Sequence, residues 1–267
     1  VAGAFTRALQ PNGAAVSTGA LAAWNGSGWE DLGCTVAGTL SVVAVDGERI
    51  YVGGIMSQVC EARCNNIAMW DPQLGWRAVG DGVLGGGVKA LVVQGNNVYV
   101  GGTFVQAGGR PAAKAARWDG RVWHSMGAVG GDVHAMAAFG EYLFAGGEFV
   151  TAGGRQASYL ARFYSGEWVP VGGGVNGPVF SLQSLNGCLW IGGAFTEARL
   201  TVGGPSIPAR YVVRWCVSAQ TFEAVDASDA LGPVRAIQPT MHPVHAPTCP
   251  TQAECPADGT LGQAPGL

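Results

Sequence analysis

Val98 to Trp123 reads VYVGGTFVQAGGRPAAKAARWDGRVW, and the same plan returns from Leu143 to Trp168 as LFAGGEFVTAGGRQASYLARFYSGEW. In each stretch an apolar run ends in Gly-Gly-x-Phe and a Gly-Gly-Arg loop follows. A second apolar run then ends in an aromatic, a turn and a Trp. Self-similarity at a fixed period decides an architecture before any single motif does, because one copy cannot bury its apolar face alone.

Aligned on this element, the chain holds five copies. They are Ala2-Gly3-Ala4-Phe5, Gly53-Gly54-Ile55-Met56, Gly101-Gly102-Thr103-Phe104, Gly146-Gly147-Glu148-Phe149 and Gly192-Gly193-Ala194-Phe195. Their spacing, about 45 to 51 residues, matches one four-stranded propeller blade.

Each full copy carries four strand signals. Alternating first strands start at Leu40, Val88, Val133 and Val179, and tight turns follow at Asp46-Gly47, Gly95-Asn96, Gly140-Glu141 and Asn186-Gly187. Gly and Asn tolerate the positive φ of hairpin turns. The second strand ends in Gly-Gly, where missing side chains let backbones approach closely. A longer loop leads to a third strand ending at Trp24, Trp70, Trp118, Phe163 or Trp215, and the fourth opens at Trp29, Trp76, Trp123, Trp168 or Phe222. Paired aromatics at structural spacing are expected to pack between neighbouring blades rather than to form a stacking platform for sugars.

The expected fold is therefore all-β, a propeller of about five four-stranded blades. Copy one starts inside its second strand at Val1, whereas Val234-Arg235-Ala236-Ile237 repeats the first-strand signature with no second strand after it. Pairing of Val234–Ile237 with Val1–Phe5 would close the ring and leave no free edge. The competing account is a fragment of a larger propeller. Val1 is no initiator, which suggests a processed or truncated start. Residues 1–240 form the expected propeller. Residues 241–267, rich in Pro and Gly and without periodicity, read as a tail or linker unless pinned by their own Cys pair, the propeller surface or another subunit.

The pattern resembles the repeats of kelch-like propellers, the superfamily of the galactose oxidase central domain. It is closer still to the repeat type of Rax2-like cortical polarity markers. Val98–Phe104 and Ala116–Trp123 carry the likeness best, and it extends over about Val1 to Ile237. Copy two departs from it between Ser57 and Asn66, and copy five between Thr196 and Ala209. The resemblance implies a propeller and leaves function open, since propellers host many unrelated activities.

Composition narrows the function classes. Among 267 residues, 48% are apolar, 12% are charged, and the formal net charge is −3. This gives a sizeable core but no basic footprint for nucleic acid or anionic membranes, and no run long enough to span a membrane. Seven Cys suggest an oxidising, extracellular or cell-surface setting. Asn25-Gly26-Ser27 has the glycosylation pattern and falls in a predicted turn.

Cys188 and Cys216 face each other if the hairpin that sets Ile191 opposite Val213 is regular, which favours a bridge. Cys60–Cys64 would close a small loop, and Cys249–Cys255 a second one in the tail. Cys34 is left over, to stay free, pair between subunits or displace a tail partner. His242 and His245 with Cys249 and Cys255 have ligand types for zinc, but at irregular, Pro-broken spacing. Asp46-Gly47, Asp81-Gly82 and Asp119-Gly120 read as turns, not calcium loops. No Tyr–Cys–His arrangement for a copper-radical oxidase and no Arg cluster of sialidase type can be argued from spacing.

Arg110 and Arg155 fall at equivalent loop positions and should lie on one face, either solvated or contacting a partner carboxylate or glycan. The expectation is thus a non-catalytic extracellular interaction or structural module, without cofactor, within a larger surface, matrix or filament assembly. Its partners would be proteins or further subunits. A glycan-binding, lectin-like propeller is the alternative, and an enzyme the least favoured reading.

Overall fold

The period-2 runs on either side of each Gly- or Asn-bearing turn pair as antiparallel hairpins, and neighbouring hairpins join into meanders. The computed structural model describes Phe5 and residues 7–18, 20–32, 34–226 and 232–237, all within the unit Val1–Ile237. The tail, with His242, His245, Cys249 and Cys255, lies outside the described residues. All described elements are β, in many small antiparallel sheets.

Three sheets repeat one plan, with strands laid side by side in chain order. The first comprises Val88–Gln94, Asn97–Gly102, Ala115–Trp118 and Trp123–Ser125. The next comprises Asp132–Phe139, Tyr142–Glu148, Leu160–Tyr164 and Glu167–Pro170. The last comprises Val179–Leu185, Cys188–Gly193, Val212–Cys216 and Thr221–Ala224. Ahead of them, Val36–Asp46, Arg49–Val59, Ile67–Asp71 and Gly75–Ala78 form the same meander with a longer first hairpin. Copy one is present as two hairpins, Arg7–Leu9 with Ala15–Ser17 and Ala22–Trp24 with Trp29–Asp31.

The two glycines of each Gly-Gly do different work. A β-carbon on the first would run into a Val of the following sheet: Gly53 into Val88, Gly101 into Val133, Gly146 into Val179. A β-carbon on the second would run into a backbone carbonyl of its own sheet: Thr39 at Gly54, Gly87 at Gly102, Asp132 at Gly147, Pro178 at Gly193. One glycine sets the sheet-to-sheet distance and the other the approach within the sheet. The first strand bulges beside this point, with the register shifting between Leu40 and Val42, Val88 and Ala90, Val133 and Ala135, and Val179 and Ser181.

The core lies between consecutive sheets. Ile67, Met69 and Val79 pack with Val88, Val100 and Phe104. Ala90 and Ala115 pack with Val133, Leu143 and Phe149, and Phe144, Leu160 and Val171 with Val179, Ile191 and Phe195. Phe104, Phe149 and Phe195 of the last three copies are fully enclosed, worth about 1.5–3 kcal/mol of apolar burial each. The aromatic pairs stand across the third and fourth strands, as Trp118 opposite Trp123 and Phe163 opposite Trp168. They pack on the connection leaving the preceding sheet: Trp123 Nε1–H donates to the Val79 carbonyl at 3.0 Å.

A second device repeats before each third strand. Ala20, Asn66, Lys114, Tyr159 and Tyr211 all take a left-handed backbone, with φ of 72°, 66°, 70°, 64° and 65°, uncommon for residues other than glycine. The conformation lets one residue serve both flanks. Lys114 N–H donates to the Phe104 carbonyl at 3.1 Å, and its own carbonyl accepts from Gly102 N–H at 3.0 Å. The same pair of bonds recurs at Asn66, Tyr159 and Tyr211.

Candidate functional site

Each Gly-Gly-Arg loop folds as a small ribbon. Gln106–Ala107 pairs with Arg110–Pro111, and Thr151–Ala152 with Arg155–Gln156. The tips need glycine, because Gly108 and Gly109 (φ 56° and 71°) and Gly153 and Gly154 (φ 58° and 75°) occupy the left-handed region. Each ribbon is anchored to the segment entering its sheet, Val83–Leu84 with Gln106–Ala107 and Val129 with Ala152.

Arg110 and Arg155 therefore occupy matching places on matching ribbons. Arg155 reaches Glu167 at 3.2 Å, with both side chains exposed. Arg110 makes no side-chain ion pair among the described residues. Aliphatic side chains stand in the open nearby: Val105 (49% exposed) and Val150 (55%) lead into the two ribbons, Leu84 (41%) is on the strand paired with the first ribbon, and Ile55 (65%) is on the Arg49–Val59 strand. An apolar strip edged by arginines can exclude water against a partner while the guanidinium forks set orientation.

The bulges create a second constellation that the alternation of the first strands concealed. A bulge re-aims one side chain, and here the bulged residues are Ser41, Lys89, His134 and Phe180. Arg235 follows Val234 as these residues follow Leu40, Val88, Val133 and Val179. Neighbours in the series touch: Lys89 Nζ is 3.2 Å from His134 Nδ1, His134 packs on Phe180, and the Arg235 guanidinium lies 5.0 Å from the Phe180 centroid. Asp132 joins Lys89 at 3.4 Å and Lys114 at 3.6 Å. His134 Nε2 lies 3.4 Å from Glu148.

Burial, and then the Lys89 charge, hold the His134 pKa below the ordinary histidine range. An ammonium can donate only to an unprotonated ring nitrogen, so Nδ1 accepts from Lys89 and the ring proton sits on Nε2, towards Glu148. The Nε2 contact is close in distance but lacks hydrogen-bond geometry. No hydroxyl or thiol among the described residues hydrogen-bonds to His134, so the pairing behind a His-activated nucleophile is not formed there. The signal in sequence was the residue after each leading apolar residue of the first strand, read down the copies.

The cysteines pair differently from expectation at one end. Cys188 stands opposite Cys216 in the strand register and is bridged to it. The Cys60–Cys64 bridge is not formed: Cys60 pairs with Cys34. In copy two the first hairpin extends past Gly54, so that Val36 lies opposite Val59. This brings Cys34 beside Cys60, whose N–H donates to the Thr35 carbonyl at 2.7 Å. Cys34 is thus neither free nor available to another subunit. Cys64 is a free thiol buried with Leu40, Val52 and Ala68, and burial raises its pKa, as for a structural rather than a reactive cysteine. Asn25 is exposed in its turn, where Oδ1 accepts from Ser27 and Gly28 N–H at 2.9 Å and Nδ2 donates to Glu30 at 2.5 Å.

No family model matches the chain, and no curated protein matches it. Solved structures similar to it include two computationally designed proteins. Ika4 is 15% identical with a TM-score of 0.39 over 57% of this chain and 79% of that one. Ika8 is 11% identical with a TM-score of 0.46 over 76% of this chain and 65% of that one. Neither likeness is close enough to assign a fold or a function.

Proposed function

We propose that the chain is a kelch-like β-propeller of about five four-stranded blades that acts as a non-catalytic extracellular interaction module within a larger surface, matrix or filament protein. Support for the ring comes from Val234, which takes against Gly192 the place that Val88, Val133 and Val179 take against Gly53, Gly101 and Gly146. Its N–H also donates to the Gly193 carbonyl at 3.1 Å. In this reading Val234–Ile237, which is not assigned as a strand, takes the inner place of the blade that the N-terminus would complete; Val1–Ala4 lie outside the described residues. Two disulfides suit an oxidising compartment.

The observation that carries the functional reading is the strip of Ile55, Leu84, Val105 and Val150, flanked by Arg110 and Arg155. Val105 and Val150 hold the same position in successive copies, directly after the Phe of Gly-Gly-x-Phe, and both are exposed beside an arginine-bearing ribbon, as expected of a contact surface. A photo-crosslinking residue placed at Val105 or Val150, expressed in the native source, tests it. Cross-links to protein partners or further copies are expected from these two sites and not from Asn96 or Glu141 on the hairpin turns. Equal labelling from all four sites, or none from Val105 and Val150, overturns the reading.

A further inference from the structure

At the end of the sheets opposite the ribbons, the hairpin turns of the Val36–Ala78 and Val88–Ser125 sheets enclose a cleft of 390 Å³. Its walls carry three guanidinium groups, Arg49, Arg77 and Arg121, together with Tyr51, Asn96 and Trp118. The arginines are under-partnered. Arg49 and Arg77 share one carboxylate oxygen, Asp71 Oδ2, at 3.4 and 3.6 Å. The other oxygen of Asp71 is taken by the N–H groups of Gln73 and Leu74.

Arg121 forms no side-chain ion pair among the described residues. Asp119 beside it is committed elsewhere: Oδ1 accepts from the Arg121 and Val122 N–H groups, and Oδ2 meets His124 at 2.6 Å. Two further carboxylates, Asp46 and Glu48, line an adjoining recess that shares Arg49 rather than the cleft itself. The cleft wall thus carries three guanidinium groups, of which two share one Asp71 oxygen and the third, Arg121, forms no ion pair among the described residues. Three arginines aimed at one space favour an anion, and the planar guanidinium fork matches a carboxylate in particular.

The remaining lining narrows the ligand. Trp118 offers an aromatic ring, tilted at 51° against Trp123 with centroids 5.6 Å apart, and an aromatic face covers apolar C–H surface. Asn96 offers both a donor and an acceptor for hydroxyl groups. The volume is at the small end of ligand pockets, which start at about 300 Å³. We propose that this cleft binds a carboxylated monosaccharide of the hexuronic acid class, with the carboxylate among Arg49, Arg77 and Arg121 and the sugar ring against Trp118. The site is separate from the ribbon face and does not depend on the reading given to that face.

Titration of the full chain with sodium glucuronate, followed by calorimetry or amide NMR, tests the proposal, with glucose and sulfate as parallel probes. Saturable glucuronate binding is expected, weaker by about tenfold or more in Arg121→Ala and in Arg77→Ala, with no saturable binding of glucose. Arg121→Ala is the primary variant because Arg121 is exposed and forms no ion pair among the described residues, and an unchanged near-ultraviolet spectrum verifies its fold. The proposal fails if glucuronate does not saturate, or if Arg121→Ala binds it as well as the parent chain. It also fails if sulfate competes as tightly as glucuronate, which would make the cleft a general anion site.

Discussion

Val234 Cγ1 lies 2.7 Å from where a β-carbon on Gly192 would stand. The same relation holds at three interfaces upstream, so the last described segment repeats the contact that joins each sheet to the next. The glycine acts as a socket, and the Val of the following copy fills it. Packing of this kind tolerates no added methyl group, since interiors are filled to crystal-like density.

Gly101→Ala should therefore destabilise the protein by about 1–3 kcal/mol through overpacking against Val133. Val133→Ala in the same chain should recover part of that loss, which a double-mutant cycle in denaturant unfolding would measure as a coupling between the two sites. Gly102→Ala should cost more and gain nothing from Val133→Ala, because its new β-carbon meets the Gly87 carbonyl. Equal, uncoupled losses at both glycines would contradict the socket.

Mass mapping of the oxidised protein should find Cys34 linked to Cys60 and Cys188 linked to Cys216. Among the described residues Cys64 is the one free thiol, and its alkylation should require denaturant. Replacing Cys188 and Cys216 by Ser should lower stability by about 3.5 kcal/mol on the loop-entropy estimate for a separation of 28 residues. Rapid alkylation of Cys64 in the native state would show that the Leu40–Val52 core is not closed around it.

The sequence made the repeat legible because Gly-Gly-x-Phe marks a point where two backbones and a neighbouring sheet converge, and few residues fit. It made the Cys188–Cys216 bridge legible because the hairpin through Ile191 and Val213 is regular. It misled at Cys60 because copy two alone continues its first hairpin beyond the glycines, to Val36 and Val59, and a loop was read where strands extend. Lys89 and His134 stayed hidden for the opposite reason. A perfect alternation assigns them an ordinary place in the strand, and only the bulge, which comes from backbone crowding at the second glycine, turns them toward one another.

Trp123→Phe should cost about 1–3 kcal/mol. It removes the indole N–H that satisfies the Val79 carbonyl and leaves a small void beside Gly80, whose β-position lies 3.1 Å from that nitrogen. Trp24→Phe should cost much less, because Trp24 is about half exposed. Thermal unfolding of the two variants side by side separates an aromatic that joins sheets from one on the surface. Equal losses would mean that the pair position alone, not its seat on the preceding sheet, carries the stability.

His134 should make stability fall in mild acid. Its folded pKa is lowered, first by burial and next by Lys89, against an unfolded value near 6.5. Below about pH 6.5 the unfolded chain takes up a proton that the folded chain resists, so the unfolded state gains. The contribution is therefore complete above about pH 6.5 and is lost as pH drops from there toward the folded pKa. For a single proton the slope stays below about 1.4 kcal/mol per pH unit. Melting temperatures of the parent chain and His134→Gln between pH 7.5 and 5 would isolate it, because the two chains share every other ionisable group. Lys89→Met should raise the His134 pKa in NMR titration and flatten the difference between the two curves. If the parent and His134→Gln curves stay parallel across that range, folding does not lower the His134 pKa; if Lys89→Met leaves that pKa unchanged, Lys89 and His134 are not coupled in solution as their 3.2 Å contact requires.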